Sequence, residues 1–263
     1  MLEFCLLSSG SRANAIYVAA GSTRVLIDCG LSAKQAAMRL RSIDVDPDSI
    51  DAIVLTHEHD DHVCGVRVFA KRHKTTVLAN RQTMGSSRHL AEIPLEQRGE
   101  FDSGAPFKVG ELTFDPFSIS HDASDPVAFR VSAGERTLGV VTDLGQVTTL
   151  VEERVRNLDA LILESNHDPG MLFDAPYPWD VKQRISGRHG HLSNATAGEV
   201  LEEISRSDGS RLRYAVAAHI SENSNRPDLA LHCFRTAWAR GGQLHCPEFH
   251  AAGVLAPSPL FRL

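Results

Sequence analysis

Six consecutive residues, His57-Glu58-His59-Asp60-Asp61-His62, constrain this chain more than any other feature, because four of them are good metal ligands placed directly behind an apolar run. Asp51 to Thr56 reads as a buried strand that ends at the run. On an extended strand end, residues two apart share a face, so His57 and His59 point the same way while the following turn presents Asp61 and His62. A helix would send His57 and His59 to different faces. One loop of this composition can serve two metals. The alternative is a solvated polar loop, but metal binding is the usual reason for concentrating imidazoles and carboxylates in this way.

Three further polar residues terminate later apolar runs: His121 in Ser120-His121-Asp122, Asp143 in Thr142-Asp143-Leu144-Gly145, and His219 in Ala217-Ala218-His219-Ile220. Any one of them alone would pass for a capping or core polar residue. Together with the first run they form a set.

The surrounding pattern fixes the fold class. Short apolar, β-branched runs at Phe4 to Ser8, Ala15 to Ala19 and Arg24 to Cys29, separated by Gly10, Gly21 and Gly30, predict a β-meander. Ser32 suits the N-cap of a helix through Ile43. Later strands are expected at Leu112 to Ser118, Val127 to Ser132, Thr137 to Thr142, Ala160 to Glu164 and Tyr214 to Ala218. Helices are expected at Val147 to Asn157, Asn194 to Ser207 and Pro227 to Arg240. Two series of strands followed by helices imply an α/β protein with two sheets packed face to face and helices outside, a four-layer αβ/βα sandwich. No repeat, low-complexity tract or linker divides the 263 residues, so a single domain over 1–263 is expected.

Composition excludes several classes. With 42% hydrophobic and 23% charged residues and no long apolar run, the chain reads as globular with no membrane span. Glu3 stands where a signal peptide would be basic, and the five scattered cysteines suit reduced thiols, so a cytoplasmic location is expected. The formal charge of −6 argues against a simple nucleic-acid binder, but two divalent ions would bring it to −2 and concentrate positive charge in one pocket.

The ligand set in this order, with Asp28 after an early strand, resembles the metallo-β-lactamase superfamily. The resemblance implies that His57, His59 and His121 hold one metal and Asp61, His62 and His219 the other. Asp143 would bridge them, and Asp28 would support the ligand loop by hydrogen bonds. The stretches Ser8-Ser9-Gly10-Ser11-Arg12-Ala13-Asn14-Ala15, Ser120 to Pro126, Glu164-Ser165-Asn166-His167-Asp168 and Gly190-His191-Leu192-Ser193-Asn194 are similar to the YycJ/WalJ-type branch, whose members are regarded as exonucleases acting on DNA. The opening loop departs from that branch by carrying Arg12-Ala13 where a glycine usually precedes the Asn.

Two metals about 3.5–4 Å apart can share a hydroxide and hold a phosphate for in-line attack, so no separate protein base is needed. Asp61, as a ligand, and His191, as the acid that protonates the leaving oxygen, are the expected catalytic residues. His167 is expected to contact substrate; a structural histidine is the alternative for both imidazoles. Ser9, Ser11 and Asn14, with Arg12, are candidates for phosphate contacts, a simple turn being the other reading. Lys182, Arg184 and Arg188 form a modest basic cluster, or else a solvated helix face.

These features predict a two-metal phosphodiesterase or exonuclease acting on DNA, or less readily RNA, with Zn²⁺ or Mn²⁺ as the ions. A glyoxalase II-like thioester or lactone hydrolase would use nearly the same ligands, and a metal-stabilised binding module would turn over no ester. Only 75 residues separate Asp143 from His219, too few for the large clamp domain of β-CASP nucleases. Substrate grip must therefore come from core loops or from a second subunit of a homo-oligomer.

Overall fold

The computed structural model describes every residue from Met1 to Leu263 except Asp208. The fold divides into two compact units. The first comprises Met1–Ser118, Ala123–Arg136 and Gly253–Leu263, and the second Ile119–Asp122 and Thr137–Ala252.

In the first unit, β1 (Leu2–Ser8), β2 (Ala15–Ala20) and β3 (Thr23–Ile27) form the expected antiparallel meander. A register shift between Leu6 and Ser8 turns the chain into the loop that carries Ser9 to Asn14. The sheet continues in parallel from β3 through β4 (Ala52–Val54) and β5 (Thr76–Ala79) to β6 (Arg98–Glu100). Parallel neighbours require crossovers. These are α1 (Ala33–Arg41), then α2 (Asp60–Val63) with α3 (Val66–His73), then α4 (Arg81–Ser86) with α5 (Arg88–Ala91). Leu26, Ile53 and Val77 of the sheet join Ala36, Leu40, Val66, Phe69 and Leu90 of the crossovers in one apolar core. Helix α1 starts at Ser32, whose hydroxyl accepts from Gln35 N, as expected.

The same unit holds the antiparallel strands β7 (Phe107–Val109), β8 (Leu112–Ser118) and β9 (Val127–Ala133). In β8, buried Leu112 and Phe114 alternate with half-buried Thr113 and Asp115, the period-two pattern of a strand with one covered face. A short strand at Phe261–Arg262 pairs with β1 and stacks Phe261 on Phe4.

The second unit is built on parallel strands β10 (Arg136–Val141), β11 (Ala160–Glu164), β12 (Tyr214–Ala218) and β13 (Glu248–Ala251). All five residues of β11 are buried, which explains why it reads as a continuous apolar run rather than an alternating one. Helix α6 (Thr149–Arg154) returns β10 to β11. It begins later than the expected Val147, because the Thr148 hydroxyl caps it by accepting from Val151 N. Between β11 and β12 lie α7 (Pro169–Asp174), α8 (Trp179–Ser186) and α9 (Asn194–Arg206). Helix α10 (Pro227–Gly241) then leads to β13. No helix among the described residues is long and apolar enough to cross a membrane, and all five cysteines are free thiols.

Candidate metal centre

The candidate ligands sit where strands end, and the backbone turns sharply at three of these ends. Asp28 follows β3 with φ +61°, Asp143 follows β10 with φ +57° and His219 follows β12 with φ +52°. Side chains other than glycine rarely adopt this left-handed conformation, Asp and His among the more tolerant, and it recurs at functional sites. It also ends β3 at Ile27, two residues short of the expected Cys29.

In the first unit, the Asp28 carboxylate organises the histidine run. Its Oδ1 accepts from Thr56 N at 2.9 Å, and its Oδ2 accepts from Thr56 Oγ1 at 2.8 Å and from His62 Nδ1 at 2.8 Å. The single hydroxyl proton of Thr56 is thereby committed to Asp28. The Thr56 oxygen, 2.9 Å from His57 Nδ1, must then accept from that nitrogen. Both His57 and His62 therefore use Nδ1–H internally and keep Nε2 as a lone-pair donor, the tautomer that a metal needs.

The turn after His59 is the helical α2, with His59 at its N-cap, rather than an irregular turn. The rings of His57 and His59 lie 4.6 Å apart and those of His57 and His62 4.1 Å apart. Asn14 Nδ2 lies 3.1 Å from Asp61 Oδ2 and 3.0 Å from His62 Nε2, while Asn14 N donates to Asp61 O at 2.7 Å. This places Asn14 within the ligand network itself, buried beneath the opening loop. Ser9 is also buried, and Ser11 is exposed. Ala13 keeps out of the left-handed region, so the missing glycine leaves no strain there. Glycine is required instead at Gly30, where a Cβ would stand 1.6 Å from Asp61 O. Glu58, inside the run, is spent on Ser124, accepting from its N and Oγ at 2.8 and 2.7 Å.

In the second unit, three imidazoles converge on the buried Asp143. Its Oδ1 lies 3.4 Å from His219 Nε2, 3.8 Å from His121 Nε2 and 3.9 Å from His191 Nδ1. His121 donates Nδ1–H to Gly190 O at 3.2 Å, which again leaves Nε2 as the lone-pair nitrogen. Burial pushes the His121 pKa down in spite of nearby Asp143, favouring the neutral form that can ligate.

One buried acid here escaped the sequence reading as a site residue. Glu164, the last residue of β11, accepts from His191 Nδ1 at 2.7 Å and lies 3.1 Å from His219 Nδ1, both through Oε1. Its Oε2 accepts from Leu144 N at 2.6 Å and Leu192 N at 3.3 Å. Burial alone would raise its pKa, but the charge of His191 and the hydrogen bonds from both histidines outweigh it and hold the carboxyl down at about 2. Reciprocally, burial disfavours the His191 cation, and the Glu164 charge and hydrogen bond overcome this and raise its pKa. The sequence signal was an acid closing an apolar strand. His167, three residues on, is buried, and its backbone bridges to Ser193.

The donor chemistry of each unit suits a divalent cation. Two ligand atoms bound about 2.1 Å from one tetrahedral ion lie about 3.4 Å apart. His219 Nε2 to Asp143 Oδ1 measures 3.4 Å and His62 Nε2 to Asp61 Oδ2 3.5 Å, both long for a hydrogen bond and right for neighbouring ligands. In the second unit Asp143, Glu164, His191 and His219 offer ligand atoms within 4.8 Å of one another. The Glu164 to His191 hydrogen bond already engages two of these four.

A family model described as a β-lactamase superfamily domain matches residues 23–220. The chain belongs to the metallo-β-lactamase superfamily. Within that superfamily it is a YycJ/WalJ-type member. It is 33% identical over 231 residues to the exodeoxyribonuclease WalJ of Streptococcus pneumoniae, covering 87% of this chain and 85% of the relative. It is 32% identical over 230 residues to the exodeoxyribonuclease YycJ of Bacillus anthracis, covering 87% and 86%. Among solved structures it resembles the metallo-β-lactamase fold protein YhfI of Bacillus subtilis. The TM-score is 0.74 at 16% identity, over 98% of this chain and 100% of that one. This likeness shows the αβ/βα sandwich of the superfamily, as expected from the strand and helix pattern. Membership together with the His/Asp donors makes the chain a metal-dependent hydrolase.

Proposed function

We propose that this superfamily member is a cytoplasmic exonuclease that hydrolyses phosphodiester bonds at DNA ends with two divalent ions. The class of substrate follows from the YycJ/WalJ-type relatives. The observation that carries the reading is the His191–Glu164 pair. An alkoxide leaving from a nucleotide needs a proton, and a cationic imidazole held by a buried carboxylate can supply it; a thiolate leaving group needs none. The thioester form of the glyoxalase II-like reading leaves this pair without work; a lactone's alkoxide would use it, and there the YycJ/WalJ-type relatives decide for the phosphodiester.

The ligand set is the one the motifs imply: His57, His59 and His121 for one ion, Asp61, His62 and His219 for the other, and Asp143 shared. Bound there, Zn²⁺ or Mn²⁺ would generate the hydrolytic nucleophile and offset the phosphate charge. Around them the protein's own groups have separate tasks. Asp28 and Glu164 fix the tautomers of His62 and His219, Thr56 fixes that of His57, and His191 holds the proton for the leaving oxygen. Ser9, Ser11 and His167 are the proposed substrate contacts, while Asn14 steadies the Asp61 loop beside them. We read residues 1–263 as one domain, because the family match runs through both compact units without a break.

End-labelled DNA and RNA strands incubated with the Zn²⁺- or Mn²⁺-loaded protein test this. A product ladder from DNA is expected, with kcat/KM on bis(p-nitrophenyl) phosphate at least roughly tenfold above that on S-lactoylglutathione, about 1.4 kcal/mol of transition-state preference. The reverse ranking with intact strands would give the site to thioesters.

A further inference from the structure

Helices α7 and α8 border a pocket of about 290 Å³ in which His167 is the one lining residue given a role above. It lies near the lower end of the roughly 300–1,000 Å³ range of ligand pockets. His167 lines it and is only 3% exposed, yet its Nδ1 is buried with no hydrogen-bond partner among the described residues. A buried polar nitrogen left in this state costs free energy unless a ligand completes it. Two further lining residues, Phe173 and Trp179, stand 70% and 63% exposed. Lys182, also in the lining, donates to the carbonyl of Phe173, and its ammonium stands 5.9 Å from the centre of the Phe173 ring. Two N–H groups of that ammonium remain for an anion.

Exposed aromatic faces beside a cation are what single-stranded nucleic acid uses. Bases stack on the rings, and the phosphate between them meets the positive charge. The imidazole adds base-edge chemistry. Burial pushes the His167 pKa down, so near neutral pH the ring is uncharged, with one nitrogen able to donate and the other to accept.

We propose that this pocket is a nucleobase subsite for single-stranded nucleic acid, with the base edge on His167, its face on Phe173 or Trp179, and the adjoining phosphate on Lys182. The subsite takes its ligand class from the nuclease reading, but its place rests on the second unit's own geometry.

The test is binding of a short single-stranded oligonucleotide with cleavage-resistant phosphorothioate linkages to the whole chain, read by tryptophan emission and by anisotropy of a labelled strand. Trp238 is buried in α10, so quenching on binding reports Trp179. Saturable quenching is expected. Phe173→Ala and Trp179→Ala should each weaken binding by roughly five- to a hundredfold, the span of base–aromatic stacking, and Trp179→Phe by much less. KM on strands should rise with kcat preserved, and turnover of bis(p-nitrophenyl) phosphate, which has no base to stack, should be unchanged. Affinities within about twofold of the parent would overturn the subsite even if strands are cut. Loss of a dimer in Phe173→Ala with strand affinity intact would also overturn it, by making the patch a subunit face. Quenched binding without strand hydrolysis would instead sink the nuclease reading and leave the subsite standing. Absence of both would sink the two together.

Discussion

Nδ1 of His191 lies 2.7 Å from Oε1 of Glu164, a carboxylate with no solvent exposure at the end of a parallel strand. Each group raises the population of the other's charged form, so the pair holds a proton on His191 and none on Glu164. The sign of the pH dependence follows. A leaving-group acid works while protonated, so kcat on DNA should fall on the alkaline side, with a midpoint above the ordinary imidazole value of about 6.5. Glu164→Gln removes the charge that raises His191, and the midpoint should move to lower pH. A pH–rate profile checks this; an unmoved limb in the variant would assign it to another group. The pair's contribution to stability has two edges. The His191 part is complete below about 6.5 and is lost as pH rises through its raised pKa. The Glu164 part is present above about 4.3 and fades as pH falls toward 2.

His191→Ala should retain the metal and the fold while losing about 10²–10⁴-fold in kcat on a DNA strand, the usual size of a general-acid contribution. The p-nitrophenolate leaving group needs no proton, so bis(p-nitrophenyl) phosphate should suffer far less. Equal losses on the two substrates, or loss of metal by elemental analysis, would mean that the residue positions or ligates instead.

Asp143 and Asp28 should separate ligand from support. Asp143→Gly keeps a backbone that accepts φ +57° but deletes the carboxylate, so metal content near two ions per chain should fall and hydrolysis vanish. Asp28→Asn loses the charge that orients His62 and, through Thr56, His57; metal affinity should weaken by about 10- to 100-fold with the fold intact. Competition with a chelator reads both. Full occupancy and near-parental activity in Asp143→Gly would remove that residue from the site.

Gly30→Ala should destabilise the protein through packing. The added methyl meets Asp61 O at 1.6 Å and Asn14 N at 2.9 Å, so the ligand loop must shift, at a cost of about 1–3 kcal/mol for an overpacked site. A thermal melt of metal-free protein isolates this term; an unchanged Tm would show that the loop yields freely.

The ligand run, the meander and the long buried strands were legible because apolar runs ending in polar residues survive translation into structure almost unchanged. β8, β11 and β12 match their expected bounds. The short helices α3 and α7 were not anticipated, and α8 only as a solvated face carrying Lys182 and Arg184, since spans of eight residues or fewer give too few turns for a helical period to stand out. Glu164 was hidden for a different reason. It opens the branch-like stretch Glu164 to Asp168, but its partners His191 and His219 lie 27 and 55 residues further along, and nothing in that stretch says which residues its carboxylate meets. Asn14 reads from the sequence as a phosphate contact or a turn residue, and only tertiary closure onto Asp61 and His62 gives it a place in the ligand network.

The left-handed turns at Asp28, Asp143 and His219 bear on how such a protein can change over generations. Valine, isoleucine and threonine are excluded at these corners by sterics, whereas asparagine and glycine fit them without strain. A drift from Asp143 or His219 to either of these would erase a donor atom and leave the corner's shape intact. The scaffold can therefore shed its chemistry before its architecture, and descendants that keep the surface but hydrolyse nothing are structurally within one substitution.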